Sequence, residues 1–367
     1  MNNAVKIPFV HITRRKNISW YRAWGIRLIA VIMALILCGI ITMLLVGANP
    51  LSIYKTMFVG NFGTTRKIWF MLQDLSILLI ISLALAPAFR MKFWNLGGDG
   101  QALMGCLGAT TIMITCRDFL PNWLLIICML AAAVLAGAIW ALIPAFFKSR
   151  WNTNETLFTL MMNYVAIQLV AYFVVFWENP KGSSKIGIIN QRTQLGWLPT
   201  IGGNKYILII IIAVLLTVGM FVYMKYSKHG YEISVVGESE PTARYVGINV
   251  RKVIIRTLIL SGAICGLAGF LLVSGTDHTM TTTLVDGRGF TGVMVAWLAK
   301  FNPFFMILTS FILVFLDRGA SEISTMFGLN DSFGAILTGI ILFFIIGCEF
   351  FLNYELHFRH SKRKEVA

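Results

Sequence analysis

Apolar runs long enough to cross a lipid bilayer recur along almost the whole chain, and they constrain its fold more than any other feature. They lie at about 27–47, 68–89, 93–115, 123–147, 156–177, 206–224 and 257–274. Shorter runs follow at about 289–299 and 304–316, and a last long one at about 332–352. About 20 apolar residues span the hydrocarbon core as a helix. Backbone groups in hydrocarbon must pair internally, so such runs are helical. Charged residues make up only 13% of the chain and hydrophobic residues 57%, whereas soluble domains carry about 25% charged residues. The expected fold class is all-α, a polytopic membrane helix bundle of about ten spans. The 367 residues then leave no room for a large soluble domain, and 1–367 reads as one transmembrane domain.

Charge placement sets the expected orientation. With the N-terminus inside and every run crossing, the cytoplasmic segments are 1–26, the turns after 89 and 147, the loop 225–256, Lys300 and the tail 355–367. They hold 21 of the 31 Lys and Arg residues, counting Arg27 at the membrane edge, as the positive-inside rule asks. Both termini are then cytoplasmic. The excess of basic residues, a net charge of +15, sits at span ends, which suits anionic lipid headgroups and gives no reason to expect nucleic acid. Segment 48–67 is too mixed to span and is expected as an amphipathic piece on the outer surface. The run at 289–299 is shorter than the roughly 17 residues a full span needs, so a re-entrant half-helix is expected there.

Between two apolar runs lies FWNLGGDGQALMG at 93–105, carrying Asn95, Asp99 and Gln101 among closely spaced glycines. A glycine-broken backbone at membrane depth is tolerable only where it faces protein or a water-filled cavity, and carriers often line their path with such broken helices. A second break at 286–292, DGRGFTG, runs in the opposite crossing direction. An inverted repeat is therefore expected, with the two segments facing one passage. The mid-span amides Asn163 and Gln168, with Asn154 and Glu155 at a span entrance, complete the polar set. Such amides either glue helices together or make brief contacts with a neutral solute.

Known chemistries are mostly missing. GRGFTG at 287–292 matches a dinucleotide fingerprint only literally, since no strand–turn–helix surrounds it. No phosphate-binding loop occurs, so ATP hydrolysis is not expected in this chain. Neither the five histidines nor the six scattered cysteines show metal-ligand spacing. No catalytic residues, cofactor or metal are expected. A membrane enzyme using Asp99 or Glu155, or an ion-coupled carrier, stand as alternatives of other classes. The carrier is poorly served, because buried mid-span carboxylates are its usual mark. Energy entry is instead expected at the polar loop 225–256. Its segment 238–245 has acids early and Arg244 late, as a helix dipole favours, with Gly247 as a cap. A short helix held outside the membrane suits docking of a cytoplasmic partner.

Four stretches carry a family resemblance: FWNLGGDGQALMG at 93–105, NETLFTLMMNY at 154–164, GESEPTARYVGI at 237–248 and GFTGVMVAWLAKFNP at 289–303. In this order and spacing the chain resembles the permease subunits of ABC importers in the branched ribose and nucleoside group, most of all the general nucleoside permeases. It departs from their pattern at Trp94, an insertion, at Asp99, where Glu is usual, at Ser239 and at Thr291. The resemblance implies import of a nucleoside or related small solute, with a pentose or other sugar as the alternative. It implies a second permease subunit, a cytoplasmic ABC ATPase and an extracytoplasmic solute-binding lipoprotein as partners, in the cell membrane of a bacterium. The substrate path is expected at Asn95, Asp99, Gln101, Asn154, Glu155, Asn163 and Phe290. Coupling to the ATPase is expected at Gly237, Glu238, Ala243, Arg244, Tyr245 and Gly247.

Overall fold

The computed structural model describes residues 10–15, 19–47 and 49–358. The basic residues Lys6, Lys16, Arg359, Lys362, Arg363 and Lys364, expected at the cytoplasmic face, lie outside the described residues. The helices are α1 (Trp20–Val46), α2 (Pro50–Phe62), α3 (Thr65–Arg90), α4 (Gly98–Thr115), α5 (Asn122–Trp151), α6 (Glu155–Phe176), α7 (Ile207–Tyr226), α8 (Lys228–Glu238) and α9 (Glu240–Tyr245). They continue as α10 (Val250–Leu271), α11 (Arg288–Leu298), α12 (Pro303–Met326) and α13 (Asp331–Asn353). A π-helical turn, Leu272–Asp277, extends α10. Each expected apolar run falls on a helix. Seven helices among the described residues are long and apolar enough to cross a membrane, and α1 holds a shorter apolar stretch, Leu28–Leu44.

The chain divides into two compact units. In the first, which ends at Gly63 and resumes at Leu316, Ala34, Cys38 and Thr42 lie buried along one face of α1, at the i, i+4, i+8 spacing of a helix stripe. Ile53 and Met57 of α2 and Leu337 and Ile341 of α13 are buried there too. The helix α2 falls in the segment expected to be amphipathic, but its apolar residues do not gather on one face: Asn49 caps it, its side chain accepting from the Leu51 N–H at 3.0 Å, and Leu51, Phe58 and Val59 stay exposed while Ile53 and Met57 are buried. Two short strands, β1 (Val10–Arg14) and β2 (Tyr354–Phe358), pair antiparallel. This ribbon departs from a purely helical chain. It also brings the segment before α1 and the segment after α13 together.

The second unit, Thr64–Phe315, carries the candidate site. Its centre is α10, whose small residues let backbones approach closely. A methyl group on Gly266 would strike the Ala133 carbonyl, and one on Gly262 the Gly137 carbonyl, both on α5. Gly105 of α4 meets the same Gly266. Close contact through small residues replaces the hydrophobic driving force that lipid does not supply. Farther on, α12 runs ten residues beyond the expected end at 316. Asp317, Arg318 and Glu322 lower its hydropathy without breaking the helix, and Ala320, Ile323 and Ser324 still bury one face.

Candidate functional site

The helix α3 stops at Arg90, three residues after Pro87. The Phe93 N–H then donates to the Ala88 carbonyl at 2.9 Å, closing the helix end, and residues 94–97 run on without helical pairing until α4 begins at Gly98. Asn95 and Gly97 of this break are buried, so its backbone there needs other partners. Side chains provide them. The Leu96 N–H donates to Thr159 Oγ1 at 3.1 Å, and the Leu96 carbonyl accepts from Asn163 Nδ2 at 2.8 Å. Asn163 Oδ1 accepts from the Gly100 N–H at 2.9 Å. Asn95 Oδ1 accepts from the Gly97 N–H at 3.0 Å and from Gln101 Nε2 at 3.1 Å, while Asn95 Nδ2 donates to Ser261 Oγ on α10 at 3.2 Å. Thus α6 and α10 hold the break in shape through amides and hydroxyls.

The second break ends at the same place. Gly287 lies in the left-handed region at φ 67°, and α11 starts from it, about 16 Å long at 1.5 Å per residue. That is roughly half of the ~30 Å hydrocarbon core, so α11 is the expected half-helix. Its N-terminus abuts that of α4: the Gly289 N–H donates to Asp99 Oδ1 at 2.7 Å, and a methyl group on Gly289 would collide with Asp99. One carboxylate therefore sits where two helix N-termini converge, the placement that the helix dipole favours. Arg288 Nη2 reaches Asp74 Oδ1 on α3 at 3.1 Å, tying the start of α11 to α3. At the far end of α11, Trp297 stacks on Trp94 with ring centroids 5.4 Å apart, which accounts for the extra tryptophan in the break.

A cavity of about 270 Å³ opens beside this junction. Asp99, Asn163, Tyr164, Asp286 and Phe290 line it together with Thr282 and Thr283. Of the expected path residues, Asp99, Asn163 and Phe290 meet here. Asn95 and Gln101 are fully buried behind them and serve the break. Asn154 and Glu155 lie at the other end of the α6 first turns: Asn154 Oδ1 caps α6 by accepting from the Leu157 N–H at 3.1 Å, and Glu155 pairs with Lys148 Nζ at 2.8 Å. Asp286 opens the second break expected from the sequence, whereas Thr159, Ser261, Thr282 and Thr283 were not singled out. The polar spacing of Thr159 and Asn163, one turn apart on α6, was the available signal for the first.

The expected docking segment forms two helices. Gly237, near the end of α8, packs so tightly on the Arg90 carbonyl that a methyl group would overlap it. Ser239 is extended and caps α9, its Oγ accepting from the Thr242 N–H at 3.3 Å. Ala243 is fully buried, while Tyr245 is 94% and Val246 61% exposed. Arg244 pairs with Glu240 one turn back at 3.5 Å, and Gly247 closes the turn at φ 87°. The result is a short helix anchored by one alanine, with an aromatic and a branched side chain standing outward.

Comparison with known proteins gives these features a context. A family model described as branched-chain amino acid transport system / permease component matches residues 68–346. The guanosine ABC transporter permease protein NupP of Bacillus subtilis is 30% identical over 344 residues, 92% of this chain and 96% of that one. The nucleoside ABC transporter permease protein NupB of Lactococcus lactis is 26% identical, with 87% and 89% covered. The glucose ABC transporter permease protein TsgB13 of Haloferax volcanii is 26% identical, with 96% and 95% covered.

Proposed function

Because this chain belongs to the branched-chain amino acid transport system / permease component family, we propose that it carries a nucleoside or related small solute inward through the second unit. It is a multi-pass membrane permease and not an enzyme; the solute, the partners and the residues are what is proposed. The observation that carries the reading is the junction of α4 and α11. The N-termini of α4 and the half-helix α11 meet at Asp99 and Gly289, beside a cavity lined by an amide, hydroxyls, carboxylates and the ring of Phe290. Broken helices meeting inside a bundle are a common place for a transported solute. A nucleoside presents a flat base for Phe290 and sugar hydroxyls for Thr282, Thr283 and Asp286. Two relatives that carry nucleoside or guanosine in their names support that choice over a sugar.

The expected orientation, with both termini and the loop 225–256 in the cytoplasm of a bacterial cell, puts α8 and α9 where a separate ATPase subunit docks. The exposed Glu238, Arg244, Tyr245 and Gly247 form that contact, and the buried Gly237 and Ala243 seat the two helices on the permease. A second permease subunit and an extracytoplasmic solute-binding lipoprotein complete the importer. Vesicle uptake with the ATPase and binding lipoprotein reconstituted tests the whole. Labelled guanosine or another nucleoside should accumulate with ATP and not without it, and glucose should not. Uptake that follows a proton or sodium gradient and ignores ATP refutes the reading; ATP-driven uptake of glucose in preference to nucleosides corrects the solute.

A further inference from the structure

Away from the junction, α7 and α10 leave an apolar groove of about 470 Å³ between them, lined by Ile212, Leu215, Leu216, Gly219, Met220, Tyr223, Leu260 and Ile264. The α7 residues recur at helical spacing, so they form one stripe. Gly219 makes the notch: a methyl group there would meet nothing within 4 Å. The floor is Met220 and Ile264, both buried, and Leu215 on the rim is 66% exposed. The groove ends on charge. On α10, Lys252 and Arg256 precede Leu260 and Ile264 at steps of four, so one stripe runs from basic to apolar. Arg256 Nη1 lies 2.6 Å from His229 Nε2 and Nη2 3.7 Å from Glu232 Oε2. The His229 ring is 6.3 Å from that of Tyr223 in the groove wall. Lys225, Lys228 and Lys252 are exposed around this end, so Glu232 is outnumbered.

We infer that this groove holds an acyl chain of an anionic phospholipid whose phosphate lies against Arg256 and Lys252. The geometry matches such a lipid from end to end. An open apolar channel suits one chain, a tyrosine stands at the level where rings sit in the interface, and a basic cluster closes the channel at the end where α7 and α10 leave the membrane. A zwitterionic lipid fits the channel but gains nothing from the surplus of positive charge.

The test uses the purified full-length chain with phosphatidylglycerol or phosphatidylcholine carrying the same photoactivatable acyl chain, and maps the labelled residues by mass. Phosphatidylglycerol is expected to label 212–223 and 260–264 at several-fold lower concentration than phosphatidylcholine. Lys252→Ala, a surface change, should weaken that labelling about fivefold, the effect of one basic group near the membrane surface, and Arg256→Ala should do at least as much. Gly219→Trp should remove label from the groove and leave other labelled sites unchanged. Equal labelling by the two lipids, or a preference that survives both Lys252→Ala and Arg256→Ala, overturns the headgroup assignment. Unchanged groove labelling in Gly219→Trp overturns the chain assignment. Disulfide formation between Gly219→Cys chains in membranes, above the background of the native cysteines, shows that a second copy covers this face and also overturns it.

Discussion

Replacing Asn163 separates two roles that one amide plays in this structure. Its side chain is 4% exposed, lines the cavity and spends both polar atoms on the backbone of the break, at 2.8 Å to the Leu96 carbonyl and 2.9 Å to the Gly100 N–H. Asn163→Ala strands both backbone groups. A buried group left unpaired costs about 1–3 kcal/mol, so the two together cost about 2–6 kcal/mol by that route. Side-chain hydrogen bonds inside membrane bundles measure less, about 0.6 kcal/mol on average and up to about 1.7, because the unfolded chain in lipid also finds partners. Here the stranded partners are backbone groups in a stretch that cannot pair with itself. A loss of about 2–4 kcal/mol is therefore expected.

Unfolding titrations with a denaturing detergent, run beside vesicle uptake, read this out. Asn163→Asp is the control for volume. It keeps an acceptor for Gly100 but sets a carboxylate oxygen against the Leu96 carbonyl, so it should destabilise at least as much as alanine. Phe290→Ala is the control for function. That ring lines the same cavity at 41% exposure, so its loss should cut uptake while changing stability by under about 1 kcal/mol. Wild-type unfolding in both Asn163 variants, with uptake reduced, would refute the reasoning and leave Asn163 a solute contact alone.

Other consequences follow from the same geometry. Gly289→Ala drives a methyl group into Asp99 and should cost about 1–3 kcal/mol by overpacking, with uptake lost; wild-type unfolding would show that the two helix starts have room to part. Gly247→Pro forbids the φ of 87° there, and Arg244→Glu sets like charges together at Glu240. Both should abolish ATPase co-purification while unfolding shifts by under about 1 kcal/mol in Arg244→Glu, since exposed ion pairs contribute about 0–1 kcal/mol; normal co-purification refutes the docking role. His278 stacks on Trp197 at 3.7 Å, and burial, with Lys205 nearby, pushes its pKa down to about 4. The unfolded chain protonates it near pH 6.5, so stability should fall as the pH drops from about 6.5 to about 4. His278→Phe keeps the stack and should flatten that decline in a comparison of melting temperatures; an equal decline in both proteins counts against it.

Most of the helical plan was legible because hydrocarbon leaves a chain few options. Every apolar run became a helix, and the half-helix at 288–298 was readable from its length alone. Local caps are equally short-range, since Asn154 and Ser239 each accept from the N–H three residues on, yet Asn154 was expected to line the path. The charge pattern nonetheless puts the start of this helix at 238, two residues before α9 begins at Glu240, although a serine followed two residues later by Pro241 is a common start signal. What local pattern could not show is pairing at long range. The β1–β2 ribbon joins segments some 340 residues apart, and short mixed strands leave no periodicity to read. Asn95 to Ser261 and Asp99 to Gly289 are likewise contacts between distant helices. The sequence offered glycines and polar residues at 95–101 and 286–292, but only packing shows that the two breaks touch.

That contact also decides what kind of carboxylate Asp99 is. An ion-coupling acid has to exchange its partner within each cycle, whereas Asp99 Oδ1 is engaged by the N–H that begins α11. Its work is to hold two helix starts together, and anything that moves them apart must break this bond. A contiguous route for such motion starts at the docking segment. Gly237 rests on the Arg90 carbonyl with no space for a methyl group, and Arg90 is the last residue of α3 before the break. Eight residues on, α4 begins, and Asp99 stands in its first turn. A displacement of α8 thus reaches the α4–α11 junction through one packed contact and one short unhelical stretch. Gly98 and Gly289 sit face to face at its far end. An ATPase docked at 237–247, as proposed, would therefore act on the α4–α11 junction through this backbone route.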